Sequence, residues 1–248
     1  GVLDNICRNY HIISQMFIAR IAPLCYYLHI FSMGKGRVKM IAVIDYGAGN
    51  LQSVVKALNY IDCKCEITNN IETILNADGA ILPGVGSFED AMNCMRSCNA
   101  DKAVKDFVAT GKPFLGICLG LQLLFPASEE SPNAEGLSLL EGDVTRIPND
   151  GGKLKIPHMG WNSLNIKKGD GLFKEIEGSP YVYFVHSYFL KAKNPEIVSS
   201  QTEYGTTIDA SVSCKNIMAT QFHPEKSGKV GLQMLKNFAD MANGKVVL

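Results

Sequence analysis

Three short runs of this chain hold residue types that could act together on an acyl group. The run Gly116-Ile117-Cys118-Leu119-Gly120 sets a thiol between small residues. It is the cysteine form of the strand-turn-helix elbow G-x-S-x-G, whose small neighbours let the chain turn sharply and lift a nucleophile clear of the backbone. A helix starting just after Cys118 would also point the positive end of its dipole at the sulfur. The run Gln221-Phe222-His223-Pro224-Glu225 offers a base and a group to hold it. Pro224 biases His223 to extended chain, where side chains two apart share a side, so Glu225 could fix the tautomer of the imidazole. In Pro83-Gly84-Val85-Gly86-Ser87-Phe88, glycines on both sides of Val85 free its peptide to turn an N–H toward a ligand. With the Leu119 N–H, directly after the thiol, it would make a donor pair for a tetrahedral oxyanion. Taken singly, each run also reads as plain structure: a buried cysteine, a loop, a glycine-rich turn. Taken together, they make Cys118, His223 and Glu225 a candidate catalytic triad.

Such groups must be brought together by elements far apart in sequence. Residues 40–45 form an apolar run ending in the turn Tyr46-Gly47-Ala48-Gly49-Asn50, as a buried parallel strand would. Leu51, Val54, Val55, Leu58 and Ile61 follow at helical spacing. Residues 63–68 and 79–82 read as strands, 91–95 and 103–108 as turns of amphipathic helix, and 114–117 as a fourth apolar strand leading into a helical run over 119–125. The order β-α-β-α-β-α-β predicts an α/β fold with an open, mostly parallel, flavodoxin-like sheet flanked by helices. After residue 141 the pattern changes. Strand-like runs at 143–147, 163–166, 181–189, 197–202, 206–211 and 217–221 predict additional, partly antiparallel strands completing the sheet. A last helix is expected over 228–241, with Val230, Leu232, Leu235 and Phe238 facing inward. All three chemical runs fall at predicted strand ends, where α/β folds place their sites.

Composition narrows the function classes. The 248 residues suit one α/β domain with a sizeable core. Lys plus Arg and Asp plus Glu are 24 each, so no basic field favours nucleic acid. The eight cysteines show no paired C-x-x-C or His couplet, so no metal is implied, and their scatter suits a reduced, cytoplasmic protein. No run reaches the roughly 18 apolar residues of a spanning helix. Residues 1–39 are set apart as an N-terminal extension: apolar, aromatic, with Asp4 its only acid. An acid-poor, Arg-containing leader suggests a transit peptide. The scarcity of serine favours upstream sequence fused to a domain over 40–248.

The runs GICLGLQLLF, PGVGSF and QFHPEKS resemble class I glutamine amidotransferases. With IDYGAGN (44–50), MGWN (159–162) and YFVHSY (183–188), the chain is similar in detail to the glutaminase subunits of imidazole glycerol phosphate synthase, over residues 40–246. The resemblance implies glutamine hydrolysis without a cofactor, the ammonia passing to a (β/α)8-barrel cyclase partner in a heterodimer of histidine biosynthesis. It implies that Gly84, Gln122, Glu130, Ser187 and Tyr188 hold glutamine. Gln122 lies one helical turn beyond Cys118 on the same face. Pro126-Ala127 departs from the family pattern and leaves Glu129 as an alternative to Glu130. Asn50, Trp161, Tyr183 and Lys226 are implied at the partner interface, and Trp161 lies in a stretch read as turn-rich. His158 and His186, with no neighbouring carboxylate, read as structural. Two other readings are a glutaminase subunit of another synthase, such as pyridoxal phosphate synthase, and a non-catalytic interaction subunit. The MGWN and HPEKS runs argue against the first, and the intact triad against the second.

Overall fold

The computed structural model describes residues 39–47 and 49–245, less the side chain of Asp150. The expected extension, apart from Lys39, lies outside the described residues. In the first half, β1 (Ile41–Ile44), β2 (Cys65–Thr68), β3 (Gly79–Gly84) and β4 (Phe114–Cys118) alternate with α1 (Leu51–Tyr60), α2 (Ile71–Asn76), α3 (Phe88–Ser97) and α4 (Ala100–Ala109). Short helix α5 (Leu119–Gln122) leaves β4 directly and leads to β5 (Ala127–Ser128). The second half holds β6 (Gly142–Arg146), β7 (His158–Ser163), β8 (Asn165–Ile166), β9 (Tyr181–His186), β10 (Tyr188–Ala192), β11 (Val198–Glu203), β12 (Thr207–Cys214), β13 (Ile217–Thr220) and α6 (Gly228–Ala242).

Among the described residues, eleven strands form one sheet with the main path β2-β1-β3-β4-β13-β12-β10-β6-β5, while β7 and β9 pair as a separate ribbon. The five strands from β2 to β13 are parallel. Beyond them β12, β10 and β6 run antiparallel, each to the one before it. This is the α/β sheet with an antiparallel second half that the sequence predicts.

The side-chain period of two divides the core between the sheet's faces. Ala42, Ile44, Ala80 and Leu82 pack on one face with Ile74 of α2, Phe88 and Met92 of α3 and Phe107 of α4. Ile41, Val43, Ile81 and Leu115 pack on the other with Val54 and Leu58 of α1 and Leu235 and Phe238 of α6. Short α2 starts where the Asn70 side chain accepts the Thr73 N–H.

Three expectations are corrected. The run 119–125 is helical only to Gln122. Pro126 has no N–H to continue the ladder, and the Leu123 and Leu124 carbonyls accept from Leu137, Leu139 and Leu140 instead. The expected strand 181–189 breaks at Ser187 into β9 and β10, which join different sheets, so the second half does not simply complete one sheet. Trp161 stands on a strand, β7, not in a turn.

Candidate functional site

The sheet order explains how the three runs meet. β4 lies between β3 and β13, with Gly84 opposite Cys118 across one pairing and Thr220 opposite Ile117 across the other. The Pro83–Gly86 turn, the cysteine elbow and the His223 turn therefore leave the same C-terminal sheet edge side by side.

Cys118 has φ 57° and ψ −108°, a conformation that costs a non-glycine residue on the order of 1–3 kcal/mol. The surrounding glycines hold it there. A Cβ on Gly120 would lie 1.9 Å from the Leu82 carbonyl oxygen, and one on Gly116 would lie 2.7 Å from the Gly120 oxygen. A Cβ on Gly84 would lie 2.8 Å from both Gly120 N and Leu119 Cβ. The strand-to-helix turn thus packs backbone against backbone, and only glycine fits.

His223 is extended, as Pro224 requires, but Glu225 lies in a 3-10 turn, Pro224–Lys226, and not in continued strand. The carboxylate still reaches back: His223 Nδ1 lies 2.7 Å from Glu225 Oε1. Ser227 clamps the turn, its hydroxyl donating to the His223 carbonyl at 2.6 Å and accepting the Tyr183 N–H at 3.0 Å. Burial opposes charge on the imidazole, yet the adjacent Cys118 sulfur and Glu225 carboxylate outweigh it and raise the pKa to about 9. Among the described residues the buried His223 Nε2 has no hydrogen-bond partner of ordinary geometry, and His223 lines the cavity beside Cys118.

The cavity above Cys118 has a volume of about 320 Å³. Val85, Leu119, Gln122, Glu130, Ser187, Tyr188 and His223 all line it, together with Lys226. Gly84 sits beneath the loop as a packing position. Between the two acids the geometry is plain. The Glu130 carboxylate accepts the Phe88 N–H at 2.8 Å, at the N-terminus of α3, and faces the cavity. Glu129 is exposed and turned to the Arg146 N–H, 2.7 Å away.

Of the expected interface residues, three cluster at the mouth. Trp161 is 56% exposed and meets Tyr183 edge-on at 6.2 Å, across the β7–β9 ribbon. Lys226 Nζ lies 5.8 Å over the Tyr183 ring. Asn50 stands at the N-terminus of α1, which packs against the Pro224–Lys226 turn.

His158 and His186 are buried, 3.0 Å apart through Nδ1 and Nε2, and His158 stacks between Phe184 and Tyr204. Burial lowers their pKa values to about 4 and about 3. Sequence reasoning passed over one polar neighbour of the thiol, Gln221, which is fully buried. Its position immediately before Phe222-His223 was the only available signal.

A cysteine elbow at the edge of an open α/β sheet, with a histidine-carboxylate pair beside it, is an arrangement suited to thiol chemistry on an acyl group. The family model "Glutamine amidotransferase class-I" matches residues 42–242. Solved structures with the same fold include a glutamine amidotransferase from Thermotoga maritima, with TM-score 0.55 at 15% identity, covering 84% of this chain and 86% of that one. PurLQS from the same organism gives TM-score 0.65 at 19% identity, covering 82% and 99%. The chain belongs to the class-I glutamine amidotransferase family. Within that family its similar curated relatives include proteins named imidazole glycerol phosphate synthase subunit HisH. Identity is 49% over 206 residues to that of Methanosarcina acetivorans, 82% of this chain and all of the relative (100%). It is 47% over 202 residues to that of Caldanaerobacter subterraneus subsp. tengcongensis, covering 82% and 98%.

Proposed function

We propose that this protein hydrolyses glutamine to glutamate and ammonia, and delivers the ammonia to a (β/α)8-barrel cyclase subunit in histidine biosynthesis. The observation that carries the reading is the meeting of Cys118 with the buried His223–Glu225 pair at the floor of one cavity. The near-complete coverage of HisH relatives supports the choice of pathway.

In this mechanism the Cys118 sulfur attacks the side-chain amide carbon of glutamine. Val85 and Leu119 N–H groups hold the oxyanion, a contribution of about a hundred- to a thousandfold per donor. His223, protonated beside Glu225, gives its proton to the leaving ammonia. It then takes one from water, which hydrolyses the γ-glutamyl thioester and frees the sulfur. Glu225 holds the ring in the required tautomer. Glu130 faces the substrate ammonium, the Ser187–Tyr188 backbone and Gln122 shape the rest of the amino-acid pocket, and Gly84 supports it from beneath by close packing. The cyclase docks on Trp161, Tyr183, Lys226 and Asn50 in a cytoplasmic heterodimer. It combines the ammonia with a phosphoribosylformimino precursor to give imidazole glycerol phosphate and aminoimidazole carboxamide ribotide.

The test separates ammonia supply from ammonia use. Cys118→Ala, assayed with the cyclase, should lose synthesis from glutamine and retain synthesis from added ammonium salt. Equal loss of both activities would show that Cys118 is structural.

A further inference from the structure

Gln221 is buried at 0% exposure directly beneath the nucleophile, and the orientation of its amide is dictated by its neighbours. The starting point is the Tyr188 carbonyl, which can only accept. It receives an N–H from Gln122 Nε2 at 3.0 Å and faces His186 Nδ1 at 2.9 Å. The Gln122 amide nitrogen also lies 3.1 Å from Gln221 Oε1. That contact is a hydrogen bond only if the Gln221 oxygen faces Gln122, because turning the amide over would set NH₂ against NH₂. The Gln221 nitrogen is thereby forced toward Cys118, where Nε2 lies 3.8 Å from Sγ.

The same anchor fixes the groups behind it. His186 Nδ1 must carry the proton that meets the Tyr188 oxygen, so in the neutral ring Nε2 accepts from His158 Nδ1. His158 Nε2 then accepts from Asn162 Nδ2 at 3.3 Å. Every polar group in this buried array has one consistent role, so no group is free to rotate without losing a bond.

We infer that Gln221 acts on the nucleophile: its forced N–H donor steers the sulfur and stabilises negative charge on it, with Gln122 as the residue that locks the donor in place. This rests on Cys118 being the nucleophile, as proposed above. It gives Gln122 a second task besides lining the pocket, and it gives the glutamine before Phe222-His223 a chemical reason. A hydrogen bond to a charged group is of the size that changes a rate about ten- to a hundredfold.

The test reads the sulfur itself and not turnover. The full chain is treated with iodoacetamide, whose carboxamide resembles the reacting end of glutamine, and alkylation of each cysteine is followed by peptide mass spectrometry. Gln221→Met keeps the side-chain length and removes the donor, and should slow Cys118 alkylation about tenfold. Half-buried Cys94 and Cys98 should react at the wild-type rate. Gln122→Met frees the Gln221 amide to turn and should slow Cys118 in the same direction by a smaller factor. In the double variant the effects should not multiply, because both act through one donor. Wild-type alkylation of Cys118 in Gln221→Met overturns the inference, as does equal slowing or quickening at all three cysteines. If Gln221→Met fails to fold, Gln122→Met decides alone, and a wild-type rate there overturns it. A wild-type chain whose Cys118 alkylates readily, yet which releases no glutamate even with the cyclase and its nucleotide ligand added, would instead sink the proposed function and leave the action of Gln221 on the sulfur standing.

Discussion

At the scale of residues, the site turns on a histidine whose surroundings reverse what burial would do. Burial alone would keep His223 neutral, but the Cys118 sulfur and the Glu225 carboxylate raise its pKa to about 9. A pKa raised in the folded state contributes stability that is full below the unfolded value, about 6.5, and is lost as pH rises through the folded one. Glu225→Gln removes one cause of the rise. The variant should therefore be less stable than wild type at pH 7, by on the order of 1–3 kcal/mol, and the gap should narrow by pH 10. Denaturant unfolding at the two pH values checks this, and a gap independent of pH would mean the pair stabilises by shape alone. The same substitution should slow glutamate release, since the ring loses its orienting partner.

At the scale of elements, the elbow depends on how closely β3, β4 and α5 approach. The Gly120 position has no room at all, with the Leu82 oxygen 1.9 Å from where a Cβ would stand. Gly169, in an exposed turn, has nothing within 4 Å. Gly120→Ala should thus lower stability by several kcal/mol, in the range of severe overpacking, and displace Cys118. Gly169→Ala should be near neutral, within about 0.5 kcal/mol. Thermal unfolding of the pair is a direct comparison, and equal midpoints would show that the elbow can relax. Sequence patterning expected β9 within 181–189 but missed β7 and the ribbon that the two strands form. Its strands pair Trp161 with Tyr183, and Ser227 ties β9 to the His223 turn. The exposed aromatic pair and the His223 turn are therefore held together by the Ser227 hydroxyl and by the His223 N–H, which donates to the Tyr183 carbonyl at 3.0 Å.

At the scale of the whole molecule, the exposed Trp161–Tyr183–Lys226 cluster, the proposed docking face, shares Lys226 with the cavity. Glycines on both sides of Val85 make two peptide orientations accessible at low cost, and Gly86 has φ +98°. A partner that favours the orientation aiming the Val85 N–H at the oxyanion would switch hydrolysis on, by a factor bounded by its differential affinity for the two states. Glutamate release should rise at least about tenfold when the cyclase and its nucleotide ligand are both added, a fraction of what one oxyanion donor supplies. Trp161→Ala and Lys226→Ala should each blunt that rise. An isolated glutaminase working at the full rate without the cyclase would rule out the gate. Residues 1–39 contain none of the constellation, so a chain started at Met40 should hydrolyse glutamine as well as the full one. A cooperative stability loss of several kcal/mol on truncation would contradict this.

The sequence by itself determined the class of fold and pointed to the chemistry proposed for it. Cys118 between glycines, His223 before proline with Glu225 two residues on, and apolar runs alternating with helical spacing are local patterns, and local patterns survive without knowledge of partners. It also determined that the sites fall at strand ends. Only the tertiary structure decided which neighbours those ends acquire. That Glu130 and not Glu129 faces the cavity follows from β5 pairing with β6, which turns one acid to the Arg146 N–H and leaves the other on the Phe88 N–H. The split of residues 181–189 between two sheets follows from β9 pairing with β7 and β10 with β6. Gln221 meets the sulfur because β13 lies against β4, 99 residues separating it from Gln122 in the chain. Side-chain period says that neighbours alternate, but which face meets which group is fixed by pairing between segments distant in sequence.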